Sequence, residues 1–114
     1  GLLEGDVDDL ISEDKFKKYY MHGTSHWLGL DVHDVGAYYA DGESRLLAPG
    51  MVITIEPGLY VAESDEDAPA EFRGIGIRIE DDVLITADGN DVLTAAAPKT
   101  VADVERQVQT QTVG

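Results

Sequence analysis

Two dense β-forming runs constrain this chain more than anything else in it: MVITIEPGLYV at residues 51–61 and IGIRIEDDVLIT at residues 75–86. Alternation in the first puts Met51, Ile53 and Ile55 on one face and Val52, Thr54 and Glu56 on the other. In the second, Ile75, Ile77 and Ile79 share a face, with Gly76, Arg78 and Glu80 opposite. Each run therefore predicts a strand with an apolar face and a glutamate set into the other. Pro57 has no amide hydrogen to give a ladder, so the first strand must bend or bulge just after Glu56. Neither opposite face has the Thr/Lys/Ser mixture of a solvated sheet. A carboxylate away from open water needs a partner, either Arg78 or a cation.

The rest of the chain fits around these strands. Asp6, Asp8 and Asp9 crowd the start, and Lys15, Lys17 and Lys18 the end, of a short helix predicted over residues 6–20. Residues 21–39 hold all three histidines and the only tryptophan without a clean period. Turn chemistry marks Asp41-Gly42, Pro49-Gly50 and Asp88-Gly89. Residues 62–74 read as an acid-rich surface loop, a short strand is expected around Val92–Thr94, and residues 101–110 form a last helix before a fraying tail. Helix, irregular segment and then several strands indicate an α+β fold with an antiparallel sheet. At 114 residues and 43% apolar composition, the chain holds one core and no more.

Composition removes several function classes. With 23 acidic against 8 basic residues the formal net charge is −15, which repels phosphate backbones and anionic membranes, so no nucleic-acid or membrane partner is expected. The absence of cysteine excludes disulfides and thiolate metal sites. No apolar run approaches a membrane span and no secretory leader is evident, giving an expectation of a cytoplasmic protein. The start at Gly1 fits either trimming or a piece of a longer chain. There is no Gly-x-Ser-x-Gly elbow and no P-loop, GIGIR lacks a dinucleotide fingerprint, and the Asp/Glu clusters lack calcium-loop spacing.

The histidines His22, His26 and His33 stand four and seven residues apart in MHGTSHWLGLDVHD. A helix-borne zinc pair is disfavoured, because Gly23 replaces the glutamate such helices carry after the first histidine, and Gly29 and Val32 weaken a helix. One histidine among glutamates would instead give an oxygen-rich site with one nitrogen, suited to Mn²⁺, Co²⁺, Fe²⁺ or Zn²⁺. Any one of these histidines taken alone reads equally as a surface or core side chain.

Taken together, MHGTSHWLGLDVHDVG, LAPGMVITIEPGLYV and FRGIGIRIEDDVLIT closely resemble the carboxy-terminal motifs of Xaa-Pro aminopeptidases (aminopeptidase P), dinuclear metallopeptidases of the pita-bread fold. The resemblance covers residues 1–105, and Ser25-His26-Trp27 looks more like aminopeptidase P than prolidase. It implies metal ligation by His26, Glu56 and Glu80, with Glu80 bridging two ions and Glu56 also orienting the attacking water. It places His22 and His33 along the substrate pocket, and Tyr60 and Arg78 behind the ligands, fixing orientation and carrying protons. It also implies an Xaa-Pro peptide substrate and two divalent ions, Mn²⁺ foremost. The family's site has two further aspartate ligands on the preceding half of the fold, which nothing here matches. The chain (residues 1–114) is therefore expected to be the carboxy-terminal half of the catalytic domain, inactive alone, holding at most one weakly bound ion. It is expected to pair with a second copy through the exposed half-site face. Prolidase-type dipeptidase activity and a non-catalytic pita-bread binding module stand as the alternatives.

Overall fold

A computed structural model of the protein describes residues 1–110, so the expected fraying tail lies outside the described residues. The elements in order are α1 (Val7–Ser12), β1 (Tyr39–Ala40), β2 (Glu43–Ser44), β3 (Val52–Ile55), β4 (Gly58–Tyr60), β5 (Gly76–Arg78), β6 (Asp81–Ile85), β7 (Asn90–Val92) and α2 (Val101–Thr110). They fall into two units, one of residues 1–26 with 54–80 and the other of residues 27–53 with 81 onward, so that β3 is divided between them after Ile53.

In the first unit the predicted helix over 6–20 is broken. Asp6 caps α1 by accepting from the amides of Asp8 and Asp9. The helix then stops, and Asp14, at φ 58°, turns the chain into a single 3₁₀ turn over Lys15–Lys18. No residue of either piece is buried, so no apolar stripe was available to hold a longer helix. The core lies just beyond it, where Tyr19, Val61 and Ala68 pack together with Leu2 and Leu3 against them.

β4 and β5 form an antiparallel ribbon in which Gly58 faces Arg78, Leu59 faces Ile77 and Tyr60 faces Gly76. The break between β3 and β4 falls at Glu56-Pro57, as the missing proline donor requires. The second run is also interrupted, at Ile79-Glu80, which the sequence did not reveal. Its isoleucine face is not a core face either: Leu59, Ile75, Ile77 and Ile79 are all exposed. Burial along β3 does not follow the alternation, because Ile53 and Thr54 are both buried, as is Glu56 just after the strand, while Ile55 is exposed. The 62–74 excursion is tied down rather than free. Arg73 donates from Nε to the carbonyl of Ala68 and from its terminal nitrogen to that of Glu66, each at 2.9 Å. Lys18 bridges Asp65 and Asp67.

In the second unit the order of the three-stranded sheet is β3-β6-β7, with β6 and β7 antiparallel and Val83 opposite Val92. β1 and β2 form a small hairpin across Asp41-Gly42, both at positive φ, which is where the sequence placed a turn. Trp27 bridges to Ile53 and stacks on Tyr38 at 5.6 Å between ring centroids. α2 forms over the expected residues.

Candidate metal centre

The register of the β4–β5 ribbon sorts its side chains. Gly58, Arg78, Tyr60 and Gly76 share one face, and Leu59 and Ile77 the other. Pairing runs one step further, the Ile79 amide donating to the carbonyl of Pro57. Carried on once more, the same register sets Glu56 opposite Glu80, on the Tyr60–Arg78 face. The proline thus ends one strand and leaves a glutamate at the mouth of the ribbon, paired by position with the glutamate that ends the other.

The third member comes from a segment that the sequence left irregular. Residues 24–26 lie beside the end of β3, the Glu56 amide donating to the carbonyl of Thr24 at 2.7 Å and that of Thr54 to His26 at 3.0 Å. His22 and His26 are not on a helix, in keeping with the rejection of a helical zinc pair. His26 Nε2 comes within 3.2 Å of Glu56 Oε1. His26, Glu56 and Glu80 each offer a ligand atom, and these atoms all lie within 4.8 Å of one another. Atoms bound at about 2.0–2.2 Å to one ion stand at most roughly 4.4 Å apart, so small side-chain rotations close the set. One imidazole and two carboxylates suit a borderline divalent cation, whose charge would neutralise both acids. The residues fit such an ion.

Glu56 is buried, and its carboxylate has three neighbours: the Thr54 hydroxyl, which donates to Oε1 at 3.0 Å, His26, and Arg78 at 3.5 Å from Oε2. Arg78 Nε donates to Tyr60 Oη at 2.8 Å, and Tyr60 Oη lies 2.8 Å from His22 Nε2. His22 Nδ1 is 2.7 Å from the carbonyl of Gly23, an oxygen that can only accept, so Nδ1 carries the proton. In the neutral ring Nε2 then accepts from Tyr60, which itself accepts from Arg78. A directed line of hydrogen bonds results, from the guanidinium through the phenol to the imidazole. The hydrogen bond to Tyr60 first, and the fields of Glu56 and Glu80 after it, hold Arg78 above its usual value and keep it charged. Because Tyr60 already occupies Nε2 of His22, that nitrogen is not free to steady a peptide carbonyl in this arrangement. Tyr60 lies across the ribbon because Gly58 and Gly76 leave the space: a Cβ at Gly76 would stand 2.9 Å from its Cδ1.

Of the residues singled out from sequence, His22, His26, Glu56, Tyr60, Arg78 and Glu80 belong to this one unit and are linked as described. His33 belongs to the other unit, exposed on the irregular stretch before β1. Thr54 was passed over as a site residue. Its signal was its place two residues before Glu56, on the same strand face.

Residues 3–87 match the model of metallopeptidase family M24. The chain is 57% identical over 105 residues to the Xaa-Pro aminopeptidase of Haemophilus influenzae, covering 92% of this chain and 24% of that protein. It is equally identical, over the same length, to the Xaa-Pro aminopeptidase of Escherichia coli, of which it covers 23%. The chain thus spans about a quarter of the length of the curated relatives it matches. Among solved structures, Pseudomonas aeruginosa aminopeptidase PepP superposes with a TM-score of 0.95 at 52% identity, over 100% of this chain and 26% of that one. Aminopeptidase P from E. coli with the inhibitor Pro-Leu gives 0.87 at 55% identity, over 96% of this chain and 25% of that one. With its antiparallel ribbons and few helices, the chain has the α+β fold of the carboxy-terminal half of a pita-bread domain, and it belongs to metallopeptidase family M24.

Proposed function

We infer that this chain is the metal-holding, carboxy-terminal half of the catalytic domain of an Xaa-Pro aminopeptidase, which removes the first residue from peptides with proline in second position. The observation that carries this is the approach of His26, Glu56 and Glu80 to within 4.8 Å of one another on one ribbon end. The similarity to Xaa-Pro aminopeptidases over 92% of the chain supplies the substrate class.

In the whole protein two divalent ions, Mn²⁺ foremost and Co²⁺, Fe²⁺ or Zn²⁺ as alternatives, would acidify a water and polarise the scissile carbonyl. His26, Glu56 and Glu80 would hold them, with two further carboxylates from preceding residues. Glu56 is the residue placed to take the proton of the attacking water, being buried and already hydrogen-bonded on Oε1. Arg78 and Tyr60 stand behind the ligands: the guanidinium attracts Oε2 of Glu56 from one side, and the phenol sets the ring of His22. His33 keeps in this proposal only the substrate-lining role that the resemblance implies. Alone, the chain has three ligands for one ion, so it binds that ion weakly and turns over no peptide. A cytoplasmic setting belongs to the same proposal. No helix among the described residues is long and apolar enough to cross a membrane.

The test is an assay with Mn²⁺ on an Xaa-Pro-Xaa tripeptide, run on this chain and on a protein extended by the residues its gene encodes upstream. The extended protein is expected to release the first residue, and Glu56→Gln to lower kcat by about 10³-fold or more. Cleavage of Xaa-Pro dipeptides alone would shift the reading to a prolidase. Turnover by this chain by itself would contradict the half-site account.

A further inference from the structure

Thr54 is the most deeply buried side chain among the described residues, at 1% exposure, yet it is a hydroxyl in a strand of valine and isoleucine. Its oxygen has two partners. The amide of His26 donates to Oγ1 at 3.1 Å, and Oγ1 donates to Glu56 Oε1 at 3.0 Å. A hydroxyl has one proton, and the His26 amide must donate, so the proton can go only to Glu56. One atom therefore binds the backbone of the imidazole residue and the carboxylate of the first glutamate. β-branching fixes its direction, because χ1 of threonine has few allowed wells in a strand.

Glu56 is under competing pulls. Arg78 stands 3.5 Å from Oε2 on one side, and His26 Nε2 3.2 Å from Oε1 on the other. A carboxylate turns readily about its last torsion, and without a fixed donor the guanidinium can draw it away from His26 and Glu80. The Thr54 hydroxyl opposes that turn. It occupies one lone pair of Oε1 and leaves the rest of the group toward the imidazole.

We propose that Thr54 is the positioning residue of the cation site: by binding the His26 amide and Glu56 Oε1 together, it presets the His26–Glu56 pair that would receive a divalent ion. The inference rests on the ligand assignment made above, and its test separates the two. Mn²⁺ affinity is measured by titration of free Mn²⁺ in its electron paramagnetic resonance spectrum. Near-physiological salt suppresses loose binding to a chain of net charge −15, and Glu80→Ala defines the nonspecific floor. Thr54→Val keeps the shape and removes the hydroxyl, whereas Thr54→Ser keeps the hydroxyl and removes the methyl. Circular dichroism confirms folding of each.

Thr54→Val is expected to weaken Mn²⁺ binding by about 10–100-fold, toward the Glu80→Ala floor, while Thr54→Ser stays within roughly threefold of the parent. If Thr54→Val does not fold, Thr54→Ala replaces it, since the alanine and serine variants share the lost methyl and differ only in the hydroxyl. Parental affinity in the valine or alanine variant, with Glu80→Ala at the floor, overturns the role of Thr54 and leaves the ligands standing. Serine as weak as valine or alanine also overturns it, because packing would then be the cause. A parent chain no tighter than Glu80→Ala overturns the ligand assignment and the inference with it.

Discussion

A single methyl group added at Gly58 tests how the polar face of the ribbon is built. The backbone there is open to alanine, since Gly58 is not among the positive-φ glycines. The space is not: a Cβ would stand 2.7 Å from Cε2 and Cζ of Tyr60, where 3.4 Å begins ordinary contact. The ring must therefore retreat by about 0.7 Å or more. Both hydrogen bonds of Tyr60 Oη are 2.8 Å long, so a retreat of that size stretches or breaks the links to Arg78 and His22. Overpacking of this kind costs about 1–3 kcal/mol. The assay is urea unfolding of Gly58→Ala in the parent and in a Tyr60→Ala background. With the ring gone, the same change should be neutral or stabilising by about 0.4–1 kcal/mol, because alanine restricts the unfolded chain. The coupling energy of the cycle is then about 1–4 kcal/mol. An equal penalty in both backgrounds would refute the claim that Gly58 is kept small for Tyr60.

Two further outcomes follow from charge and exposure. Asp81 is held below the usual carboxylate range by the Thr94 hydroxyl and then by Lys99, and Asp65 by Lys18. The unfolded chain then binds more protons than the folded one as pH falls below the ordinary aspartate value of 3.8. The contribution of both groups is complete above that value and is lost as pH drops through the lower folded ones. Urea midpoints measured from pH 6 to pH 2 should fall, and Thr94→Val with Lys99→Met should flatten that fall; an unchanged slope would contradict the assignment. Self-association is expected at high micromolar concentration, and the ribbon offers an exposed apolar face for it besides the half-site face. Leu59, Ile75, Ile77 and Ile79 are exposed on the face opposite Glu56, Arg78 and Glu80, so Ile77→Lys should dissociate the pair in sedimentation velocity. A parent chain that sediments only as monomer would remove this contact.

Much of the site was legible in the residues because strand periodicity is local. Alternation alone put Arg78 with Glu80 on one face, and Pro57 alone marked the break after Glu56. The location of His26 was not legible from period or propensity. Its segment is ordered by hydrogen bonds to β3, from residues about 30 positions away, and it has no helix or strand pattern of its own. Which strand face is buried was not legible either, for a related reason. Alternation tells the two faces apart, but burial depends on what is packed against them, and here Thr54 and Glu56 are covered while Ile77 is not. The helix over 6–20 failed because end charges describe where a helix could stop, not whether anything holds its middle.

The most direct test of the account is a crystal of this chain soaked in Mn²⁺, with anomalous differences collected for the metal. The account predicts a peak at coordination distance, roughly 2.0–2.5 Å, from His26 Nε2 and from one carboxylate oxygen each of Glu56 and Glu80. Peaks confined to the acidic 62–71 loop, with none at coordination distance from His26, Glu56 and Glu80, would contradict it.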